Sequence, residues 1–172
     1  MATSINYSAD FPVDPKRLHD ALIDKSYWLN RVNSISGEEA TCEFRADPEE
    51  GPVPEGWFSV WSSHLVPAAE LPPAVTNVRS ADLRINRGEH WGPFWNNRAS
   101  GLFTFSVPES PLRVRGDVKL TAKGNGSMLN YTTELQLKVP FLKSKIESNL
   151  SDRIVKVLDM VRDFTIVWLA SH

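Results

Sequence analysis

The fold is decided by the stretch Phe141 to Trp168, which reads FLKSKIESNLSDRIVKVLDMVRDFTIVW. Its apolar residues recur every three or four positions, the spacing of one face of an α-helix. They are Ile146, Leu150, Ile154, Val157, Val161, Phe164 and Trp168, with Lys145, Asn149, Asp152, Lys156, Asp159 and Asp163 on the opposite side. A helix of this length, about 40 Å at ~1.5 Å per residue, must bury its apolar face against something of similar extent.

The chain before this helix alternates between apolar and polar residues, which is the pattern of half-buried β-strands. The alternating segments are Ser4 to Phe11, Thr41 to Arg45, Trp57 to Val66, Asp82 to Trp91, Ala99 to Val107, Leu112 to Ala122 and Leu129 to Val139. In most of them the apolar members select the inner face. Trp57 to Val66 carries large apolar residues on both faces, so its inner face stays open.

Short signals complete the order of elements. Asp14 followed by Pro15 predicts the N-cap and first turn of a short helix after the first strand. Gly124-Asn125-Gly126 predicts a hairpin between the last two strands. The sequence therefore predicts one α+β domain, residues 1–172, in which about seven antiparallel strands are followed by a long C-terminal helix.

The composition excludes several classes of partner. The formal net charge of -2 comes from acidic and basic residues spread along the chain, with no basic stripe that would bind nucleic acid. No apolar stretch approaches the length of a bilayer span, so we expect no integral membrane association. Met1 to Asp10 lacks the pattern of a secretory signal, and a single cysteine, Cys42, fits a reducing compartment. We therefore expect a cytoplasmic protein.

The order of elements, with a long amphipathic helix last, resembles the helix-grip fold of the START and birch-pollen-allergen superfamily, which includes polyketide cyclases and lipid carriers. The resemblance covers essentially the whole chain. Two shorter patterns, Leu83-x-Ile85-x-x-x-Glu89-x-Trp91 and Val139-Pro140-Phe141-Leu142-x-x-Lys145-Ile146-Glu147, look like an uncharacterised actinobacterial branch of that superfamily. This kinship implies a curved sheet that grips the long helix around an apolar cavity.

Two charged residues, Arg87 and Glu89, share the predicted inner face of one strand with Leu83, Ile85 and Trp91. Buried charges are costly unless they are paired. Their side chains point the same way, so they can pair or hold the polar head group of an apolar ligand. The alternative is a solvated ion pair at the rim of the sheet.

Further cavity candidates occupy inward positions on the same strand and on other elements. They are Trp91, Phe103, Phe105, Tyr131 and Thr133 on the strands, and Arg153, Val157, Val161 and Phe164 on the helix. The hydroxyls of Tyr131 and Thr133 either donate to a ligand oxygen or find backbone and water partners. The guanidinium of Arg153 either reaches into the cavity or extends into water while the aliphatic part of the side chain packs on the sheet.

Known catalytic and metal-binding patterns are missing from the sequence. The four histidines, His19, His64, His90 and His172, show no metal-ligand spacing with one another or with Cys42. Nucleophile-elbow, phosphate-loop and dinucleotide-binding motifs are also absent, so we predict no metal and no cofactor.

Three functions remain open. The first is binding or transport of a lipid-like or polyketide-like hydrophobic molecule in a cavity between the sheet and the C-terminal helix. The second is a cyclase- or hydratase-type enzyme that uses Glu89 as an acid/base. The third is a non-catalytic protein-interaction domain with a filled core. The sequence does not specify the ligand, a reaction or the oligomeric state.

Overall fold

A computed structural model describes residues 3–46, 53–70, 82–108, 112–137 and 143–172 of the chain. Seven strands form one antiparallel sheet in the order β1-β7-β6-β5-β4-β3-β2. Their bounds are Thr3–Phe11 (β1), Thr41–Glu43 (β2), Phe58–Val66 (β3), Leu83–Trp91 (β4), Ala99–Ser106 (β5), Leu112–Lys123 (β6) and Gly126–Leu137 (β7). This sheet, followed by a long helix, confirms the predicted α+β helix-grip architecture.

Three α-helices accompany the sheet in the described part of the chain, together with a 3-10 turn at Ala68–Glu70. They are α1 (Pro15–Leu22), α2 (Lys25–Ser36) and α3 (Lys143–Ser171). The Asp14 carboxylate caps α1 by accepting a bond from the Arg17 backbone N–H at 3.0 Å. Asp24 caps α2 through the Ser26 backbone N–H at 2.7 Å. The predicted N-terminal helical segment is therefore two helices, because Asp24 starts a second one directly after the first.

Strand pairing identifies the inner face of β3, which the sequence left open. Residues directly opposite each other in an antiparallel pair lie on the same face of the sheet. The β3–β4 register places Phe58 opposite Trp91, Val60 opposite Glu89, and Ser62 opposite Arg87. The inner face of β3 is thus the Phe58, Val60, Ser62 series.

A glycine on β6 brings an aromatic ring close to the sheet. A Cβ atom at Gly116 would lie 2.2 Å from Cε1 of Phe103, closer than two such atoms can approach. The missing side chain therefore lets the Phe103 ring pack against the β6 backbone.

The core divides into two apolar clusters. The larger one joins α1, α2 and the C-terminal half of α3 to the sheet, and Leu18, Tyr27 and Leu120 are among its fully buried members. The second apolar cluster consists of Val107, Val114 and Leu135, with Leu83, Ile85, Phe103, Phe105 and Ile154 packed against it and only partly buried. Phe103 and Ile154 belong to both clusters, so the core is continuous but thinner at the second cluster.

The buried line of α3 only partly follows the predicted stripe. From Ser151 onward, Leu158, Val161, Thr165 and Leu169 are its buried residues, and Ile154, Val157, Phe164 and Trp168 are half-buried. Asp159, predicted on the polar side, accepts a hydrogen bond from the Tyr7 hydroxyl at 2.6 Å. Because α2 also packs on α3, the contact face of α3 is wider than a single stripe. The predicted Ile146 and Leu150 lie where only the backbone is described.

In the described part of the chain, no helix is both long enough and apolar enough to cross a membrane.

Candidate functional site

The carboxylate of Glu89 is the centre of a polar cluster on the inner face of β4. The side chain is nearly buried, and Nη2 of Arg31 on α2 lies 3.2 Å from Oε2. Nε1 of Trp91 donates to Oε1 at 2.9 Å. Both carboxylate oxygens therefore have a donor, and Arg31 balances the negative charge.

Arg31 also connects the cluster to the long helix. Its guanidinium lies 4.2 Å from the centre of the Trp28 ring, which is cation–π geometry. It donates to the Tyr27 hydroxyl at 3.4 Å, and that hydroxyl lies 2.6 Å from Oγ1 of Thr165 on α3. Because Thr165 donates its own hydrogen to the Val161 carbonyl, the Tyr27 hydroxyl is the donor to Thr165. One chain of bonds thus joins β4, α2 and α3.

Burial and charge set the protonation of this cluster. Burial lowers the pKa of Arg31, but the Glu89 carboxylate and the hydroxyls of Tyr27 and Tyr131 together outweigh that effect and hold the pKa above its ordinary value. Burial, then the Glu89 charge, raises the pKa of the Tyr131 hydroxyl well above its usual range. Burial likewise raises the pKa of Tyr27. The arginine is therefore a cation and both tyrosines are neutral at physiological pH.

Arg87, two residues before Glu89, differs from Arg31 in having no carboxylate partner among the described residues. Its guanidinium lies 5.9 Å from the centre of the Phe105 ring, and no carboxylate among the described residues forms a salt bridge with it. Burial and the nearby positive charge of Arg31 lower the pKa of Arg87 to about 10. His64 faces the same region from β3, and burial together with Arg87 lowers its pKa to about 4. Arg87 thus remains a cation near neutrality, with His64 neutral beside it.

A cavity of about 50 Å³ lies between α2 and the β3–β4 pair. Among the described residues, its apolar side chains are Trp28, Val32, Ile35 and Val60, and its polar ones are Arg31, Ser36, Ser62, Arg87 and Glu89. The volume is several times the ~10–15 Å³ that one ordered water requires, and far below the roughly 300–1,000 Å³ of a site that encloses a drug-sized ligand. It fits a head group rather than a whole hydrophobic molecule.

A family model described as "Protein of unknown function (DUF2505)" matches residues 6–169. The chain belongs to the DUF2505 family. Uncharacterised proteins of Mycobacterium tuberculosis and Mycobacterium bovis are each 25% identical to it over 175 residues, covering 100% of this chain and 99% of theirs.

Solved structures similar to this DUF2505 chain share its fold at low sequence identity. Ara h 8.0201 is 12% identical with a TM-score of 0.61, and each chain is covered completely. Norcoclaurine synthase from Thalictrum flavum is 11% identical with a TM-score of 0.60, covering 100% of this chain and 88% of the enzyme. TTHA0849 from Thermus thermophilus is 16% identical with a TM-score of 0.57, covering 96% and 98%. The DUF2505 chain therefore has the helix-grip fold of the START and birch-pollen-allergen superfamily, as the sequence resemblance predicted.

The residues predicted from the sequence divide between the cavity and its surroundings. Arg87 and Glu89 line the cavity. Trp91 lies outside the described lining and donates a hydrogen bond to Glu89. Phe105 packs near Arg87, whereas Phe103 makes an edge-on ring contact with Tyr131 at 5.6 Å. Among the described residues, the cavity lining comes from α2, β3 and β4 and includes no residue of the long helix.

The remaining predicted residues lie away from the cavity lining. Thr133 is fully buried, and its hydroxyl has no hydrogen-bond partner within the described ranges. On α3, Val161 is buried, Val157 and Phe164 are half-buried, and Arg153 is exposed. The Phe164 ring packs 5.8 Å from Tyr27.

Sequence reasoning missed the contribution of α2 to the DUF2505 site. The sequence left open whether Glu89 pairs with Arg87 on its own strand or the two hold a ligand group together, whereas its partner in the structure is Arg31 on α2, 58 positions earlier. The available signal was spacing: Trp28, Arg31, Val32 and Ile35 recur at three- and four-residue steps and so share one helix face. In the described ranges, no group of three or more His, Cys, Asp or Glu side chains is arranged to hold a metal ion.

Proposed function

We propose that this protein binds a hydrophobic small molecule whose polar end occupies the cavity beside α2. The observation that carries the proposal is that cavity's lining, in which apolar side chains surround a few convergent polar groups. The helix-grip superfamily includes lipid carriers, which supports the proposal by analogy of fold alone.

The body of such a ligand requires more apolar wall than the cavity itself provides. Arg87 connects the two regions, because it lines the cavity and also packs near Phe105 of the second apolar cluster. In that cluster Ile85, Phe105 and Ile154 are only partly buried, although they pack against the buried Val107, Val114 and Leu135. A ligand with its head in the cavity would cover these side chains and remove their apolar surface from water.

The geometry favours binding over acid/base catalysis. Among the described residues of the cavity lining, Glu89 supplies the only carboxylate, and both of its oxygens already accept hydrogen bonds, from Arg31 and Trp91. A carboxylate held in this way positions other groups and is poorly placed to shuttle protons to a substrate.

The test is binding of a neutral apolar fluorophore, N-phenyl-1-naphthylamine, to the purified full chain. Ile35→Trp places a bulky ring at a partly exposed position of the cavity lining, and we expect it to weaken binding at least about tenfold. Leu29→Trp is the matched control, because Leu29 is half exposed on the same helix and outside the cavity. Absence of saturable binding, or equal weakening by both variants, would contradict the proposal.

A second measurement uses the natural ligand directly. Native mass spectrometry of the protein isolated from its own host should show an adduct that disappears on denaturation. A clean unliganded mass under every mild extraction condition would count against a carrier.

A further inference from the structure

We infer that the ligand is a hydrophobic acid and that Arg87 binds its carboxylate. The inference rests on the proposed function and names the chemical class of the ligand for that same site. The charges around the cavity are its first support.

The cavity wall carries one positive charge without a counter-charge among the described residues. Its charged residues are Arg31, Arg87 and Glu89. Glu89 is already occupied, with Oε2 facing Arg31 at 3.2 Å and Oε1 accepting from Trp91 at 2.9 Å. No described residue forms a salt bridge with Arg87. A largely desolvated cation of this kind is costly until an anion compensates it.

The shape of the available donors fits a carboxylate. A guanidinium is planar, and its parallel N–H groups bind the two oxygens of a carboxylate together. Ser62 lies directly opposite Arg87 on β3 and lines the same cavity, so its hydroxyl can contribute a further donor. A volume of about 50 Å³ accommodates such a head group but not the body of a larger molecule.

The surroundings of Arg87 indicate an apolar body attached to that head group. Phe105 is paired with Arg87 across β4 and β5, and its ring centre is 5.9 Å from the guanidinium carbon. Ile85, two residues along β4, lies on the same face and belongs to the same half-buried cluster. A chain leaving the carboxylate would therefore pass from a charged site directly onto an apolar wall.

The protonation states of Arg87 and His64 at neutral pH are consistent with binding of a carboxylate by Arg87. Burial and Arg31 lower the pKa of Arg87 to about 10, which still leaves a cation at neutral pH. The lowered pKa of His64, about 4, makes that imidazole neutral, so it does not compete for the anion. Its Nδ1 is buried with no partner within the described ranges.

The test compares decanoate with decan-1-ol, which share an apolar chain and differ in the head group. Isothermal titration calorimetry at pH 7.5, below the micelle concentration of decanoate, gives a dissociation constant for each. We expect decanoate to bind at least about tenfold more tightly, since hydrogen bonds to charged groups are the stronger class. Arg87→Gln should bring the ratio of the two constants to within about threefold of one.

Two further variants isolate the role of Arg87. Arg84→Gln removes an exposed guanidinium from the opposite face of the same strand and should keep the wild-type ratio. Arg87→Lys keeps the charge without the planar fork, so its ratio should lie between those of the wild type and the glutamine variant. A lysine ratio below that of the glutamine variant would contradict the assignment.

The remaining outcomes separate this inference from the proposed function. Equal binding of decanoate and decan-1-ol to the wild type would overturn the carboxylate preference and leave hydrophobic binding intact. A preference that persists in Arg87→Gln would overturn the role of Arg87. Failure of the fluorophore and of both decyl compounds to bind would overturn the proposed function, and this inference with it.

Discussion

Glu89 and Arg31 are buried charges that compensate each other, so removing either one leaves the other unpaired inside the protein. The two side chains are about nine-tenths buried, and their closest atoms are 3.2 Å apart. Replacing Glu89 by glutamine keeps the size and an acceptor, but leaves the Arg31 cation without a counter-charge. Breaking a buried pair by removal of one partner costs about 3–5 kcal/mol.

We therefore predict that Glu89→Gln lowers the free energy of unfolding by about 3 kcal/mol, measured by urea denaturation. Glu134→Gln, at an exposed position on β7, is the control and should change it by less than about 0.5 kcal/mol. Equal stability of Glu89→Gln and the wild type would mean that Arg31 finds its compensation elsewhere.

His64 makes stability depend on pH in the acidic range. Burial and Arg87 lower its folded pKa from 6.5 to about 4. As the pH falls below 6.5, the His64 imidazole becomes protonated in the unfolded chain, whereas in the folded chain it stays neutral until about pH 4. Since the unfolded state binds more protons in this window, the free energy of unfolding decreases as the pH falls.

We predict that His64→Gln loses less stability than the wild type between pH 6.5 and pH 4, measured by urea denaturation across that range. Carboxylates contribute to both proteins alike, so the difference between the two curves isolates His64. Parallel curves for His64→Gln and the wild type would contradict the lowered pKa.

At the scale of single elements, the packing of β6 against β5 requires a glycine at position 116. A Cβ at Gly116 would come within 2.2 Å of the Phe103 ring. We predict that Gly116→Ala destabilises the fold by about 1–3 kcal/mol, because overpacking forces a ring or strand to shift. Thermal unfolding measures the change.

The ring itself provides the control for that prediction. In a Gly116→Ala, Phe103→Leu double variant the new methyl meets a smaller side chain, so the cost of the alanine should shrink. If the alanine costs the same with either residue at position 103, the clash is not its cause.

The sequence predicted which residues face inward where apolar and polar residues alternate regularly along one element. It did not predict contacts that depend on how two elements pack on each other. The alternation in Asp82 to Trp91 gave the inner face of β4, including the unusual placement of Arg87 and Glu89. It could not identify Arg31 as the partner of Glu89, because that contact depends on how α2 packs across the sheet. The stripe on α3 was offset for the same reason, since α2 packs on α3 and the Tyr27 hydroxyl of α2 bonds to Thr165 of α3.

At the scale of the whole molecule, strand pairing is very uneven. The β6–β7 hairpin has twelve paired positions, from Leu112–Leu137 to Lys123–Gly126, whereas β2 pairs with β3 at three. The hairpin lies inside the sheet, with β1 on one side and β5 on the other, and β2 forms an edge. Amides near an edge exchange through local opening, and those at the centre through global unfolding.

We predict that native-state hydrogen exchange is slowest in β6 and β7 and fastest, among the strands, in β2. The measurement is amide exchange followed by mass spectrometry or NMR at several denaturant concentrations. Comparable protection of β2 and β7 would indicate that the sheet opens only as a single unit.

The pairing of Arg31 with Glu89 also has an evolutionary consequence. Because either substitution alone leaves a buried charge unbalanced, a lineage that changes one position must soon change the other. Arg87 has no such partner among the described residues, so the proposed function leaves it free to vary with the ligand of each relative. Among DUF2505 sequences, positions 31 and 89 should therefore be substituted together, while position 87 should divide the family into groups with different ligands.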